Sequence, residues 1–167
     1  MGRYRPPAAK KSPYVSARGF ERLQAELKQR WQLRKEVTAA LSAAAAEGDR
    51  SENAEYIYRK KQLREIDYRI RYLQKRLPDL TIVDKPPAAT DQVFFGAWVT
   101  LEDAQGENHR YRIMGPDELD PGQGLISIDS PMAQAMMKKK VDDEIRVQTP
   151  AGEQCYFIVD IDYSEKL

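Results

Sequence analysis

Two carboxylates three residues apart, Asp49 and Glu52, sit in the polar run Glu47-Gly48-Asp49-Arg50-Ser51-Glu52-Asn53. Asp-x-x-Glu at the start of a helix is ordinarily a capping and dipole device, because the first turn leaves N–H groups unsatisfied and carries a positive end. The same spacing lets both side chains reach one hard divalent cation, or the water bound to it. Local sequence does not separate these readings. A second group lies further along: Lys60, Lys61, Arg64, Arg71 and Lys75 recur at helical spacing, and nine basic residues face four acidic ones between Arg50 and Arg76. Such a flank is either a solvated helix face or a surface that attracts phosphates, with Tyr56, Tyr58 and Tyr68 available to stack on bases.

The elements that must position these groups are helical. Ser16 can cap a helix that opens at Ala17 and runs through Phe20, Leu23, Leu27, Trp31, Val37 and Leu41 toward Ala46, where Gly48 stops it. Arg30 and Arg34 interrupt its apolar stripe. A second helix is expected from near Ser51 to just before Pro78. Its residues Tyr56, Leu63, Ile66, Ile70, Leu73 and Leu77 follow a 3/4 spacing, with Arg59 in the missing step. That seam needs a partner, and the preceding helix is the nearest one. The expectation is an antiparallel coiled-coil hairpin over residues 16–77, its second arm roughly 40 Å long, with the acid pair at its tip.

Composition separates this hairpin from the rest of the chain. The 167 residues carry a net charge of +1, but residues 1–91 hold an excess of 8 positive charges and residues 92–167 an excess of 7 negative ones. A split of that size points to two units with different partners. Residues 1–15 are basic and proline-bearing, which predicts a flexible tail, and Pro78, Pro86 and Pro87 bracket a linker over 78–92. Residues 93–167 predict a β-rich unit. Strands are expected at Val93–Glu102, Glu107–Gly115, Leu125–Asp129, Asp143–Thr149 and Glu153–Tyr163, with one helix over Met132–Lys139 after Pro131. The fold class is therefore α+β with two domains. Ser130 is a candidate cap, Met132, Met136 and Met137 are core candidates, His109 is expected exposed and inert, and Cys155 buried. One cysteine and one histidine exclude a disulfide scaffold and a His/Cys metal cage within the chain. No apolar run approaches the roughly 20 residues of a membrane helix, and the expected compartment is the reducing cytoplasm.

The run Gly48-Asp49-Arg50-Ser51-Glu52-Asn53-Ala54-Glu55-Tyr56 resembles the coiled-coil tip of the bacterial Gre transcript-cleavage factors. Phe94–Val99, Ile126–Ala133 and Thr149–Glu153 resemble their C-terminal domain, so that the similarity spans about residues 14–163. Arg50-Ser51 and the Ser127–Ala133 run favour the GreB over the GreA type. The resemblance implies an FKBP-like fold for the second domain. It also implies binding to RNA polymerase at its secondary channel, with the hairpin inserted toward the active centre of backtracked complexes. Asp49 and Glu52 would then help to hold the second Mg²⁺ of the polymerase and orient the attacking water. The polymerase itself would cleave the transcript, so the chain would be no enzyme and would bind no cofactor alone. Lys60, Lys61 and Arg64 would contact the nascent RNA 3′ end, and Asp129, Ser130 and Pro131 would lie in the polymerase-docking surface. A self-satisfied seam implies a monomer. The sequence departs from the family pattern in residues 1–13, in Gln134 where a basic residue is usual, and in the Pro121–Gly124 loop. The competing readings are a non-cleaving secondary-channel regulator, which would not need both tip acids, a prolyl isomerase, and a generic RNA-binding hairpin.

Overall fold

The computed structural model describes residues 6–48 and 53–167. The chain divides into two compact units, Phe20–Leu80 on one hand and the chain up to Gly19 together with Thr81–Leu167 on the other.

The first unit is the helical hairpin. Helix α1 spans Ala17–Ala46 and helix α2 spans Ala54–Arg76. Val37, Ile66 and Ile70 are buried between them, with Leu27, Leu33 and Leu63 packed alongside. The arginines that interrupt the apolar stripes become cross-helix links. Arg34 Nε donates to Asp67 Oδ1 at 2.7 Å, and Arg69 holds Glu26 with two bonds of 2.7 and 2.9 Å. Because Ala44 meets Asn53 while Glu26 meets Arg69, the helices run antiparallel. Helix α2 starts at Ala54, near the expected start around Ser51, and its cap is Asn53. Asn53 Oδ1 accepts from Tyr56 N at 3.1 Å, and an asparagine acceptor satisfies an orphan N–H of the first turn as well as a serine does.

The second unit begins before the hairpin. Strand β1 (Tyr14–Ser16) pairs in parallel with β2 (Thr81–Val83), Tyr14 opposite Thr81 and Ser16 opposite Val83. Two expected boundaries therefore move. Tyr14 and Val15 belong to a paired strand rather than to a tail, and Thr81–Val83 form structure within the stretch expected as linker. Alternation in three residues is too short to register as a strand in sequence. Ser16 keeps its capping role, since its Oγ accepts from Gly19 N at 3.0 Å.

Beyond β2, five strands form a sheet among the described residues: β3 (Trp98–Glu102), β4 (Asn108–Met114), β5 (Leu125–Ser127), β6 (Glu144–Thr149) and β7 (Gly152–Asp162). Their order is β5-β4-β3-β7-β6, antiparallel except for the β4–β5 pair. Helix α3 (Pro131–Met136) covers one face through Ala133 and Met136, which are fully buried with Val93, Val99, Leu101 and Ile113. The expected long strand from Val93 shortens to Trp98–Glu102. Gly96 takes φ +88°, and its N–H donates to Ile113 O at 2.7 Å, so the chain turns there before entering the sheet. Cys155 is exposed, contrary to expectation. Strand β7 is apolar on both faces, with Cys155, Phe157 and Val159 outward and Ile158 in the core, so residue type alone did not reveal which face is buried. Arg112 is a buried cation, 4% exposed, that donates to Gly96 O and Glu165 O; burial lowers its pKa, with Glu165 opposing that shift.

Glu26 gives the hairpin a pH dependence of defined sign. The hydrogen bond from Arg69 holds its carboxyl below the ordinary range against the opposing effect of burial, and the charges of Arg69 and Arg30 add to the lowering. A carboxyl depressed in the fold stabilises above its unfolded pKa, and that contribution is lost as pH falls through the folded value. Thermal melts should therefore show stability falling below about pH 4.5, and Glu26→Gln should flatten that fall; equal slopes in the two proteins would remove Glu26 from the account. Asn53→Ala should cost about 0.5–2 kcal/mol in denaturant unfolding, with hydrogen exchange accelerated first at the Tyr56 amide.

Candidate functional site

Asp49 and Glu52 lie outside the described residues, together with Arg50 and Ser51. What the structure defines is the pair of helix ends that flank them. Helix α1 closes with Glu47 N donating to Ala44 O at 3.3 Å, and Asn53 Nδ2 reaches across to the same carbonyl at 2.8 Å. Asn53 thus caps α2 through its oxygen and ties it to α1 through its nitrogen. A donor and an acceptor on one short side chain can serve both helices at once. The first turn of α2 takes an acceptor from Asn53.

The basic flank starts two turns along α2. Lys60, Lys61 and Arg64 are all exposed. Lys60 Nζ stands 5.9 Å over the ring of Tyr56, and Arg59 stands 5.5 Å over that of Tyr58. Arg59, the odd residue of the seam, is half-buried and bonded to Glu55 at 2.8 Å. The helix thus brings Lys60, Lys61 and Arg64 to solvent, with Lys60 over an aromatic ring. Tyr58 and Tyr68 are 58% and 72% exposed, a wide exposure for side chains of that size.

Asp129, Ser130 and Pro131 are brought together at the entry to α3. Ser130 Oγ accepts from Ala133 N at 3.2 Å, and Pro131 occupies the first position of the helix. Asp129 is exposed, yet both its oxygens are engaged: Ser12 N donates to Oδ2 at 2.8 Å and Ser12 Oγ donates to Oδ1. Sequence reasoning missed this contact, because nothing in residues 10–13 marks Ser12 as the partner of a carboxylate 117 positions away. Gln134, the departure from the family pattern, donates to Ile128 O at 2.6 Å and so braces the same turn. Beside it lies an apolar cavity of about 300 Å³, lined by Tyr14, Val83, Phe94, Phe95, Ile128 and Met137.

His109 is not the inert exposed residue expected. It is half-buried, its Nε2 is 2.8 Å from Asp103 Oδ2, and its ring meets Tyr156 edge-on at 6.3 Å. That hydrogen bond is the largest of the effects that lower the Asp103 pKa. Ligand-type atoms of Asp103, Glu107 and His109 all lie within 4.8 Å of one another. Asp103 Oδ1 already accepts from Gln105 N and Glu107 N, each at 2.9 Å, so this carboxylate shapes the β3–β4 turn. The spacing Asp-x₃-Glu-x-His was the available signal. Among the described residues no helix is long and apolar enough to cross a membrane.

Comparison with known proteins matches both halves of the chain. The family described as "Transcription elongation factor, N-terminal" matches residues 13–82, and "Transcription elongation factor, GreA/GreB, C-term" matches residues 88–163. The transcription elongation factor GreB of Pseudomonas aeruginosa is 57% identical over 164 residues, which cover 98% of each chain. That of Xanthomonas axonopodis pv. citri is 58% identical over 166 residues, covering 98% of this chain and 99% of its own. Among solved structures, the GreA factor homolog 1 (Gfh1) protein of Thermus thermophilus is 24% identical with a TM-score of 0.42, covering 91% of this chain and 99% of its own. Matches to both halves, and identity above half over nearly the full length, place this chain in the GreA/GreB family of transcription elongation factors as a GreB-type member.

Proposed function

We propose that this elongation factor binds RNA polymerase at the mouth of the secondary channel and stimulates cleavage of the 3′ RNA in backtracked complexes. The observation that carries the reading is the pair of tied helix ends that flank the acid pair in the sequence. Asp49 and Glu52 lie between helices whose closure is supplied by Asn53 and Ala44. A two-helix hairpin can deliver both into a site that belongs to another molecule. Carboxylate oxygens are the hard donors that Mg²⁺ accepts, which fits Asp49 and Glu52 to the second metal of the polymerase. When bound, such an ion polarises the phosphate and acidifies its water. Asp49 and Glu52 orient the attacking water, and hydrolysis belongs to the polymerase; the factor is not itself an enzyme.

Lys60, Lys61 and Arg64 neutralise phosphates of the extruded nascent RNA, which lowers its tendency to slide back out of the channel. Asp129, Ser130 and Pro131 dock on the polymerase, with the neighbouring apolar cavity available to one of its side chains. The hairpin seam is satisfied within one chain, and the factor acts as a monomer in the bacterial cytoplasm.

RNA shortening in stalled, backtracked elongation complexes tests the tip. At constant Mg²⁺, Asp49→Ala and Glu52→Ala should each slow cleavage by about tenfold or more. Undiminished cleavage would mean that the acids do not assist the metal. Binding to polymerase with no cleavage even by the unaltered protein would favour a non-cleaving channel regulator. The docking surface has a separate test. Asp129→Asn retains an acceptor for Ser12 while removing the charge, and should weaken polymerase binding roughly two- to fivefold, mostly through slower association. An equal loss in Ser12→Ala would assign the effect to the N-terminal segment rather than to the carboxylate.

A further inference from the structure

The exposed face of α2 carries a pattern that extends well past Arg64. Ile57, Lys61, Arg64, Tyr68, Arg71 and Lys75 succeed one another at steps of four and three residues, and all six are exposed. They form a solvent stripe on which Tyr68 separates Arg64 from Arg71. At 1.5 Å per residue, Lys61 to Lys75 covers roughly 20 Å. Near the end of this stripe, α1 contributes Trp31, 42% exposed, to a groove of about 530 Å³ that it shares with Arg34, Asp67, Ile70, Arg71 and Gln74. All of these residues lie in the hairpin unit.

The groove has a defined construction. Ile70, 3% exposed, gives it an apolar floor. Arg34 is bonded to Asp67 at 2.7 Å, and Arg71 Nε donates to the backbone oxygen of Asp67 at 3.4 Å, so both guanidinium groups are oriented. Gln74 supplies an amide that can both donate and accept. The surrounding segment of α1 adds Lys28 and Lys35, while Arg30 is paired with Glu26 at 3.5 Å. A half-exposed tryptophan beside two oriented arginines matches one ligand chemistry well. Bases stack on the ring while phosphates meet the arginines and lysines, the combination by which proteins hold single-stranded nucleic acid without reading its sequence. A protein partner is a poorer match, because the apolar surface is interleaved with cations rather than gathered into a patch.

We propose that the Trp31–Arg71 groove is a base-stacking subsite for single-stranded RNA, reached from Lys61 and Arg64 along the Tyr68 stripe. This rests on the reading that Lys60, Lys61 and Arg64 contact RNA. It adds a place where a base is held, not only where phosphates are attracted. Because stacking is nearly indifferent to salt and phosphate contact is not, the two contributions separate experimentally.

The test is binding of a fluorescent oligouridylate to the full-length protein at low salt, by anisotropy, with intrinsic tryptophan fluorescence read in parallel. Trp31→Ala should weaken binding roughly tenfold with an unchanged salt slope, whereas Trp31→Phe should retain most of the affinity. Arg71→Ala should weaken binding and lower the magnitude of the salt slope by about 0.7. The oligonucleotide should quench the emission of the unaltered protein, and Trp31→Phe, which leaves Trp98 in place, should abolish that quenching. Circular dichroism melts identify any variant that has lost its fold, and the Phe variant carries the comparison if the Ala variant has. Normal binding by Trp31→Ala with no quenching overturns the proposal. If the Lys60→Ala/Lys61→Ala/Arg64→Ala variant still loses binding in that case, the basic flank survives without the groove; if it does not, or if the unaltered protein binds no RNA, both readings fall. A Trp31→Ala protein that binds RNA normally but polymerase weakly makes the groove a polymerase contact, and also overturns the proposal.

Discussion

A carboxyl group only 8% exposed must be met by donors, and Glu118 is met by three: Ser16 N at 3.1 Å, the Ser16 hydroxyl, and Gly115 N at 3.1 Å. Leaving such a group without them would cost several kcal/mol. The arrangement fixes the first turn of α1. Ser16 simultaneously caps that turn by accepting from Gly19 N, so one residue is the last of β1, the cap of α1 and a ligand of Glu118. Gly19 is required by the same crowding. A Cβ there would lie 2.0 Å from Glu118 Oε1, which outweighs the roughly 1 kcal/mol that glycine costs inside a helix. The chain therefore leaves the β-rich unit at a pinned point, and it returns next door, because Thr81 N donates to Pro13 O at 2.8 Å and β2 lies against β1. An inserted hairpin needs its two ends held together in this way.

The hairpin itself has little core to draw on. Two helices bury one seam, and Val37, Ile66 and Ile70 are its centre. Where the seam is interrupted, cross-helix pairs replace apolar contact: Arg34 with Asp67 and Arg69 with Glu26. These pairs are partly exposed, so each contributes modestly to stability while it fixes the register of one helix on the other. Helix α2 carries Tyr68 and Ile57 in water beside Lys61 and Arg64, a distribution that stability does not require.

Much of this was legible in sequence because it repeats. The 3/4 spacing of Leu63, Ile66 and Ile70 announces α2, and the change of composition near residue 91 announces the sheet. What stayed hidden does not repeat. The β1–β2 pair is three residues long and joins positions more than sixty apart; Ser12 reaches Asp129 across the chain; Gly96 breaks a run that reads as one strand. Cys155 misled for a related reason, since an apolar strand with two apolar faces has no internal sign of which one is covered. Trp31 was legible as an apolar position of α1, but its exposure and its meeting with Arg71 depend on how the two helices are rotated against each other.

The candidate residues differ in how far the fold has already used them. Asn53 and Ala44 tie the two helices together at this end of the hairpin. Lys60, Lys61 and Arg64 stand on an exposed face, and the seam does not depend on them. Asp129 is in a different position, because Ser12 occupies both of its oxygens and ties residues 12–16 to the entry of α3. A group that must be solvated until it meets a partner is best placed where the fold asks nothing of it. A group that must present a rigid surface gains from being tied down, since ordering it in advance lowers the entropy lost on binding. The exposed side chains of Lys60, Lys61 and Arg64 meet the first condition, and Asp129, Ser130 and Pro131, held at the entry of α3, meet the second.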